Sequence, residues 1–313
     1  MSQTIEQSII QTLTYFSVAS FPLTKEELYR HLWRAPQIDQ LNLESELSDL
    51  VAAGRICEKW GFYFLPNEEK NIEIRRQAVI FNDQKLSKAR RAAGFIAWVP
   101  FLKAIMVCNS VGREVATRES DIDLYIIAQS GRLWLVRAFT NSILRLFGLR
   151  TYGRKERDRI CLSFFVTTEA LDLSAYRAVN EDIHFAYWLQ QMVPVYDPEE
   201  YYAKMLVANT WVGDLLPNRK IKLTAPSLRP GRFGKATKRF FEIAWRGAYG
   251  NLVEKQAKEI QRLKLKPFND RANKADNGIV ITDAIIKLHE HDARLRYREE
   301  WLKKQNRTYV ATT

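Results

Sequence analysis

The chain has 313 residues, of which 46% are hydrophobic and 27% charged, and its formal net charge is +12. These values are ordinary for a soluble globular protein with two or three domains. The longest apolar stretch, residues 94–108, is interrupted by Pro100 and Lys103, so it is too short to span a bilayer and no membrane partner is expected.

The cysteines and the first residues point to one compartment. Three cysteines lie far apart in apolar surroundings, which favours free thiols in a reducing environment over disulfides or a zinc site. The first residues, Met-Ser-Gln-Thr, have no basic segment followed by an apolar one, so no signal peptide is expected. A cytoplasmic location is therefore predicted.

Residues 1–68 are expected to form a separate small domain. An apolar helical repeat opens it, and Thr24 with Glu27 forms a capping box that predicts a second helix. A third helix is predicted at about 43–53, before a hairpin that turns near Gly61. Three helices and a hairpin resemble a winged helix-turn-helix. The third helix carries three acids and no Lys or Arg, which leaves a structural or protein-docking role open beside DNA binding.

The most informative stretch is Ser-Asp-Ile-Asp-Leu at residues 120–124. The apolar run 125–128 follows it, so the segment is typical of a buried strand. Because side chains alternate along a strand, Asp121 and Asp123 lie on the same face. Two such carboxylates repel each other unless a cation lies between them, and Mg²⁺ prefers carboxylate ligands. A strand end with two solvated aspartates is the alternative for an isolated pair.

The residues before this strand add a second pattern. A further strand is predicted at 104–108, Asn109 and Ser110 follow it directly, and ten residues separate Ser110 from Asp121. This order of strand, small polar turn, loop and Asp-X-Asp strand resembles the minimal nucleotidyltransferase superfamily. That group includes DNA polymerase β, the tRNA CCA-adding enzymes and antibiotic nucleotidyltransferases. The resemblance covers about residues 85–170.

The resemblance implies a set of site residues. Asp121 and Asp123 would be catalytic and would hold the metal, Mg²⁺ or Mn²⁺, while a nucleoside triphosphate is the implied substrate. Asn109 replaces the family's usual glycine, and asparagine is among the few residues that tolerate the same unusual backbone angles. The implied nucleotide-binding residues are Asn109, Ser110, Arg113 and Ser120.

A third carboxylate, which the family usually carries on a later strand, is not evident. The strand predicted at 160–166 contains no acid, and Cys161 or Ser163 occupies the expected face. Asp158 and Glu156 lie just before this strand, and Asp158 is taken as the third candidate catalytic residue. Without a third acid the site could still bind a metal nucleotide, because positioning and metal electrostatics supply most of the catalysis.

The positive charge is concentrated late in the chain. Residues 1–213 contain 25 Lys and Arg and 25 Asp and Glu, whereas residues 214–313 contain 23 and 11, so the whole excess lies in this last part. Such a basic region favours a polyanionic partner, RNA or DNA. His289 and His291 are not expected to hold zinc, because residues two apart on a helix do not face each other. The remaining predicted segments are a helix at 131–149, helices at 181–192 and 199–211, a linker at 216–234, and helices at 235–265 and 282–305.

The predicted fold is therefore α/β (α+β) in three parts. A small mixed-sheet nucleotidyltransferase-like domain at 69–198 is flanked by the winged helix at 1–68 and by a helical, basic C-terminal region at 199–313. The expected function is Mg²⁺-dependent transfer of a nucleotidyl group from a nucleoside triphosphate to a hydroxyl on RNA or DNA. The alternatives are a catalytically degenerate, nucleic-acid-binding or regulatory protein and a toxin-like enzyme that modifies tRNA or protein.

Overall fold

The first part of the chain forms three helices and a small sheet. A computed structural model describes residues 3–153, 155–220, 228, 231–272, 278–288 and 293–310. The capping box predicted at Thr24 is present, since its hydroxyl accepts from the backbone N–H of Glu27 and the Glu27 carboxylate accepts from the N–H of Thr24. The elements are α1 (Ile5–Val18), β1 (Leu23–Thr24), α2 (Lys25–His31), α3 (Gln40–Ala52), β2 (Cys57–Lys59) and β3 (Phe62–Phe64).

The three short strands form an antiparallel sheet in the order β1-β3-β2. The hairpin between β2 and β3 turns at Trp60 and Gly61, as predicted, and both have positive φ angles, +56° and +79°. Glycine adopts such angles without steric cost. The hairpin therefore turns where the sequence places its glycine.

The middle of the chain alternates helices with strands. Asp182 caps the start of α7 by accepting from the backbone N–H of Phe185. The strand that follows α7, Val193–Tyr196, was not predicted from the sequence. The elements are α4 (Lys70–Ile96), β4 (Leu102–Val107), α5 (Asn109–Gly112), β5 (Ile122–Ala128), α6 (Leu133–Leu146), β6 (Ile160–Thr167), α7 (Ile183–Gln190) and β7 (Val193–Tyr196).

The last part differs from the all-helical prediction. The helix predicted at 235–265 is two helices, because the chain turns sharply at Gly247, where φ is +72°. The helix predicted from 282 begins only at Ala293, and strands precede it. The elements are α8 (Tyr201–Ala208), α9 (Trp211–Leu215), α10 (Arg232–Ala244), α11 (Gly247–Leu265), β8 (Ile279–Ile281), β9 (Ile285–Leu288) and α12 (Ala293–Val310).

A short turn explains why residues 279–288 form a hairpin. The Thr282 hydroxyl accepts from the backbone N–H groups of Ala284 and Ile285. Threonine favours such local bonds, and the β-branched residues on either side favour strands. Residues 221–227 and 229–230 of the linker predicted at 216–234 lie outside the described residues, and so does the histidine pair at 289 and 291.

The main sheet has six strands in the order β7-β4-β5-β6-β9-β8. The β5–β6 pair is parallel and the other pairs are antiparallel, so the sheet is mixed, as predicted. Every residue of the central strand β5 is buried. Because both faces of β5 are covered, its sequence is an almost continuous run of apolar residues.

Each face of the main sheet belongs to its own hydrophobic core. Alternate residues such as Leu124 and Ile126 pack with α4 and α6, whereas Tyr125 and Ile127 pack with α7, α8 and the N-terminal helices. The N-terminal elements thus share one continuous core with the sheet. In the described part of the chain, no helix has both the length and the apolar character needed to cross a bilayer.

Candidate functional site

Two aspartates and a cysteine meet where β5 begins. Asp121 lies one residue before the strand, and Asp123 lies within it and is only 7% exposed. Cys161 on the parallel strand β6 is the register partner of Asp123. One ligand atom from each of these three side chains lies within 4.8 Å of the others. The two aspartates that the sequence places on one face are therefore together, and a thiol completes the group.

Because these three side chains are largely buried, it costs free energy to ionise them without a cation nearby. Burial and the neighbouring Asp121 raise the pKa of Asp123 to about 7. Burial and Glu156 also raise the pKa of Asp121, while burial and Asp123 raise the pKa of the Cys161 thiol. A divalent cation would stabilise the ionised forms and remove this cost. The donor set of carboxylate oxygens and sulfur thus fits a divalent metal ion.

Asn109 connects the turn after β4 to this group. Its φ angle is +52°, a left-handed conformation that asparagine tolerates better than most residues. The Asn109 side chain hydrogen-bonds Asp123, and its Oδ1 accepts from the Trp188 indole N–H at 2.7 Å. The Ser163 hydroxyl donates to Asp123 Oδ1 at 3.4 Å. These contacts fix the Asp123 carboxylate in one orientation.

The single turn α5 brings Ser110 and Arg113 to the same cavity. Arg113 is 7% exposed, and its guanidinium carbon lies 4.7 Å from the centroid of the Tyr297 ring. Within the described ranges, no carboxylate forms an ion pair with Arg113, and its Nε has no hydrogen-bond partner. A buried guanidinium without a carboxylate partner is costly. It therefore marks a place where an anionic ligand would be stabilised.

The cavity has a volume of about 930 Å³, which is at the upper end for small-molecule sites. Its acidic corner is formed by Asp121 and Asp123, with Glu156 nearby. Aromatic rings from α7 and α12 form further parts of the wall, Trp188 and Tyr297 among them. The basic side chains that line it are Arg113, Arg150, Lys287, Arg294 and Arg296. An acidic corner beside a basic wall suits a ligand that carries both a metal ion and phosphates.

The structure does not bring Asp158 or Ser120 to the cavity lining. The Asp158 carboxylate pairs with Lys85 at 2.9 Å and Lys88 at 2.8 Å, and although burial raises the pKa of Asp158, these lysines lower it overall. Lys85 is almost fully buried and also donates to the backbone oxygen of Ser120 at 2.6 Å. The Ser120 hydroxyl accepts from the N–H of Thr117. Both residues therefore hold the loop that leads into Asp121.

Several lining residues were not singled out from the sequence. Lys287, Arg294 and Tyr297 come from β9 and α12, where the sequence pattern predicted one helix. Trp188 was assigned to the core, and it does stack against Phe164, but its indole nitrogen faces Asn109. No local signal marks these residues, because only the path of the chain brings them near the two aspartates.

Comparison with known proteins gives no relative for this chain. No family model matches it, and no curated protein or solved structure does. The residues of the cavity, and not a relative, therefore carry the functional conclusion.

Proposed function

We propose that the protein is a metal-dependent nucleotidyltransferase that moves a nucleotidyl group from a nucleoside triphosphate to an acceptor hydroxyl on RNA or DNA. The observation that supports this most is the pair of half-buried Asp121 and buried Asp123, which shares a cavity with buried Arg113. In the part of the chain that the structure describes, Arg113 forms no ion pair with a carboxylate. Paired carboxylates suit a divalent ion, and the guanidinium suits the phosphates that such an ion binds.

The proposed fold assignment follows the chain order. Strand β4, the turn α5 and strand β5 form the nucleotidyltransferase-like unit within 69–198. The order of three helices and three strands within 1–68 fits a winged helix. The region 199–313 is the basic C-terminal part, which has two strands in addition to its helices.

Each proposed role rests on placement in the cavity. Asp121 and Asp123 would hold Mg²⁺ or Mn²⁺, and such an ion would neutralise the charge that develops on the phosphates during transfer. Ser110 and Arg113 bind the triphosphate, and Asn109 orients Asp123. These groups align the α-phosphate for in-line attack by the acceptor hydroxyl, with pyrophosphate as the leaving group.

The proton of the attacking hydroxyl needs an acceptor. Glu156 lines the cavity and is close enough to Asp121 to raise the pKa of that carboxyl, whereas Asp158 is occupied by two lysines. We therefore assign the role of proton acceptor to Glu156 in place of Asp158. The basic cavity wall and the charge excess of residues 214–313 fit a polyanionic acceptor.

One observation favours a second candidate function. Cys161 occupies the β6 position where a third carboxylate was expected, so the protein could bind a metal nucleotide without turning it over. Such a protein would be a nucleic-acid-binding or regulatory module. Incorporation of label from an α-labelled triphosphate into RNA or DNA separates the two, because only the enzyme transfers label.

The first test is calorimetric titration with ATP, CTP, GTP and UTP, with and without Mg²⁺ or Mn²⁺. We expect binding of at least one nucleotide to depend on the metal and to weaken tenfold or more in Asp123→Asn, since that change removes a charged ligand. Asp158→Asn is the matched control. It should bind nucleotide within about twofold of wild type and unfold at a lower temperature, because Lys85 then loses its carboxylate partner.

Two results would count against the proposal. If the wild-type protein binds no nucleotide with either metal, the proposal of a nucleotidyltransferase is wrong. The basic C-terminal region would then be the next candidate for the functional surface. If Asp158→Asn abolishes binding as Asp123→Asn does, while its melting temperature is unchanged, Asp158 belongs to the site after all.

A further inference from the structure

The cluster of Asp121, Asp123 and Cys161 contains two carboxylates and one thiol. Because Cys161 and Asp123 are register partners on parallel strands, their side chains leave the same face of the sheet. The ligand atoms of Asp121, Asp123 and Cys161 lie within 4.8 Å of one another, which a single ion could bridge. Asp123 is held by Asn109 and Ser163, so the cluster is partly preorganised.

Two polar side chains lie beside the Cys161 sulfur. The Arg150 guanidinium makes one hydrogen bond to it. Ser163 makes a second hydrogen bond to Cys161. Outer contacts of this kind orient metal ligands and tune their affinity.

A second and independent feature of the same cavity points to a ligand. Arg113 is buried, lines the cavity and has an Nε without a partner in the described part of the chain. An anion bound there would lie in the cavity that also contains the cluster, so its oxygens could complete the coordination shell of an ion.

We propose that Asp121, Asp123 and Cys161 form a mixed carboxylate–thiolate metal site. This site prefers borderline divalent cations to Mg²⁺, and among the borderline cations it prefers Zn²⁺ to Mn²⁺. On binding, the Cys161 S–H bond breaks, a sulfur–metal bond forms and the proton passes to solvent, with no change in oxidation state. Mg²⁺ is a hard cation that gains little from sulfur, whereas Zn²⁺ binds thiolate strongly. The inference rests on the proposed function only for the phosphates that complete the shell.

Co²⁺ is the probe, because a thiolate ligand gives it a sulfur-to-metal charge-transfer band in the near ultraviolet. We expect this band in the metal-free wild-type protein after Co²⁺ is added, and competition with Zn²⁺ should remove it. Cys161→Ser should lose the band and weaken Zn²⁺ binding tenfold or more, with Mg²⁺ binding changed by less than about twofold. Cys57→Ser is the matched control, since Cys57 lies on β2 away from the cavity, and it should keep the band.

Wild-type protein that binds Co²⁺ by calorimetry without a thiolate band overturns the inference, and so does a band that persists in Cys161→Ser. Cys161→Asp gives a second variant, which should lack the band and shift the preference toward Mg²⁺. Metal-dependent nucleotide binding without the band would overturn this inference alone. If the thiolate band is present but the protein binds no nucleotide, the mixed metal site is supported and the proposed nucleotidyltransferase function is overturned.

Discussion

A single side chain, Asp123, shows how the site opposes stability. Its carboxylate is buried beside Asp121, and these two factors raise its pKa to about 7. In the unfolded chain the same group would titrate near 4. The folded protein therefore holds a proton that the unfolded chain has released, and the free energy of unfolding falls as the pH rises from about 4 to about 7.

The variant Asp123→Asn should be more stable than wild type above this range. Asparagine keeps the shape and removes the charge, so at pH 8 with a chelator we expect a gain of about 1 to 3 kcal/mol. For a chain of this size that is a rise of several degrees in melting temperature. Thermal melts from pH 4 to pH 9 measure it. A difference between the two proteins that stays constant across this range would show that the charge of Asp123 is not the cause.

The residues nearest to Asp123 were also the most predictable from sequence. Asp121 and Asp123 are two residues apart at the start of β5, so local alternation is enough to place them together. The left-handed backbone of Asn109 is one that its residue type tolerates, although the sequence alone did not predict it. The choice between Asp158 and Glu156 could not be made from sequence, because it depends on the path of the loop before β6 and on its contacts with Lys85 and Lys88.

The turn α5 packs closely against the end of strand β4 at Gly112. A Cβ atom at Gly112 would lie 2.9 Å from the backbone oxygen of Val107 and 3.2 Å from that of Gln191. Both neighbours are backbone atoms, which cannot move aside cheaply. Glycine at this position therefore lets the turn approach β4 and hold Ser110 and Arg113 over the sheet.

The variant Gly112→Ala should lose about 1 to 3 kcal/mol of stability, because the added methyl group overpacks this contact. Nucleotide affinity should fall with it, since the turn carries two proposed ligand residues. Gly94→Ala in α4 is the matched control, because its Cβ would meet no atom of the described residues within 4 Å. That change should stabilise by up to about 1 kcal/mol, through helix propensity. Chemical denaturation measures both, and equal effects at the two sites would refute the packing argument.

The elements also show where sequence patterns were insufficient. The apolar residues of 279–288 fit a helical repeat as well as two short strands. The turn at Thr282 and the pairing of β9 with β6 together decide the outcome. The prediction of one helix at 235–265 was wrong at Gly247, where a φ angle of +72° separates α10 from α11. Helices with strong local signals, such as α6, were predicted closely.

At the scale of the whole molecule, the last helix, α12, packs against the first helix, α1. The Trp301 indole N–H donates to the backbone oxygen of Gln11 at 3.0 Å, and its ring meets Trp33 edge to face. Lys304 pairs with Glu68 at 2.7 Å. The same helix contributes Tyr297 to the cavity, so packing at one end of the molecule positions the ligand wall.

The variant Trp301→Ala should cost about 3 kcal/mol of stability, because a large buried ring is lost. It should also weaken nucleotide binding, although Trp301 does not line the cavity. Leu295→Ala on the same helix is the control, since Leu295 is 48% exposed and its loss should change stability by less than about 0.5 kcal/mol. Normal nucleotide affinity in a destabilised Trp301→Ala protein would show that α12 does not position the wall.

The position of Tyr297 in the cavity wall has a consequence for the order of events during synthesis. The two aspartates leave the ribosome early, whereas residues 287–297 leave it late. A nascent chain that has reached only β6 carries the acidic corner with Arg113 and Arg150, but it lacks the side chains that β9 and α12 bring to the cavity. The complete cavity therefore exists only after residue 297 has left the ribosome, and a ligand that needs the whole wall binds only after that point.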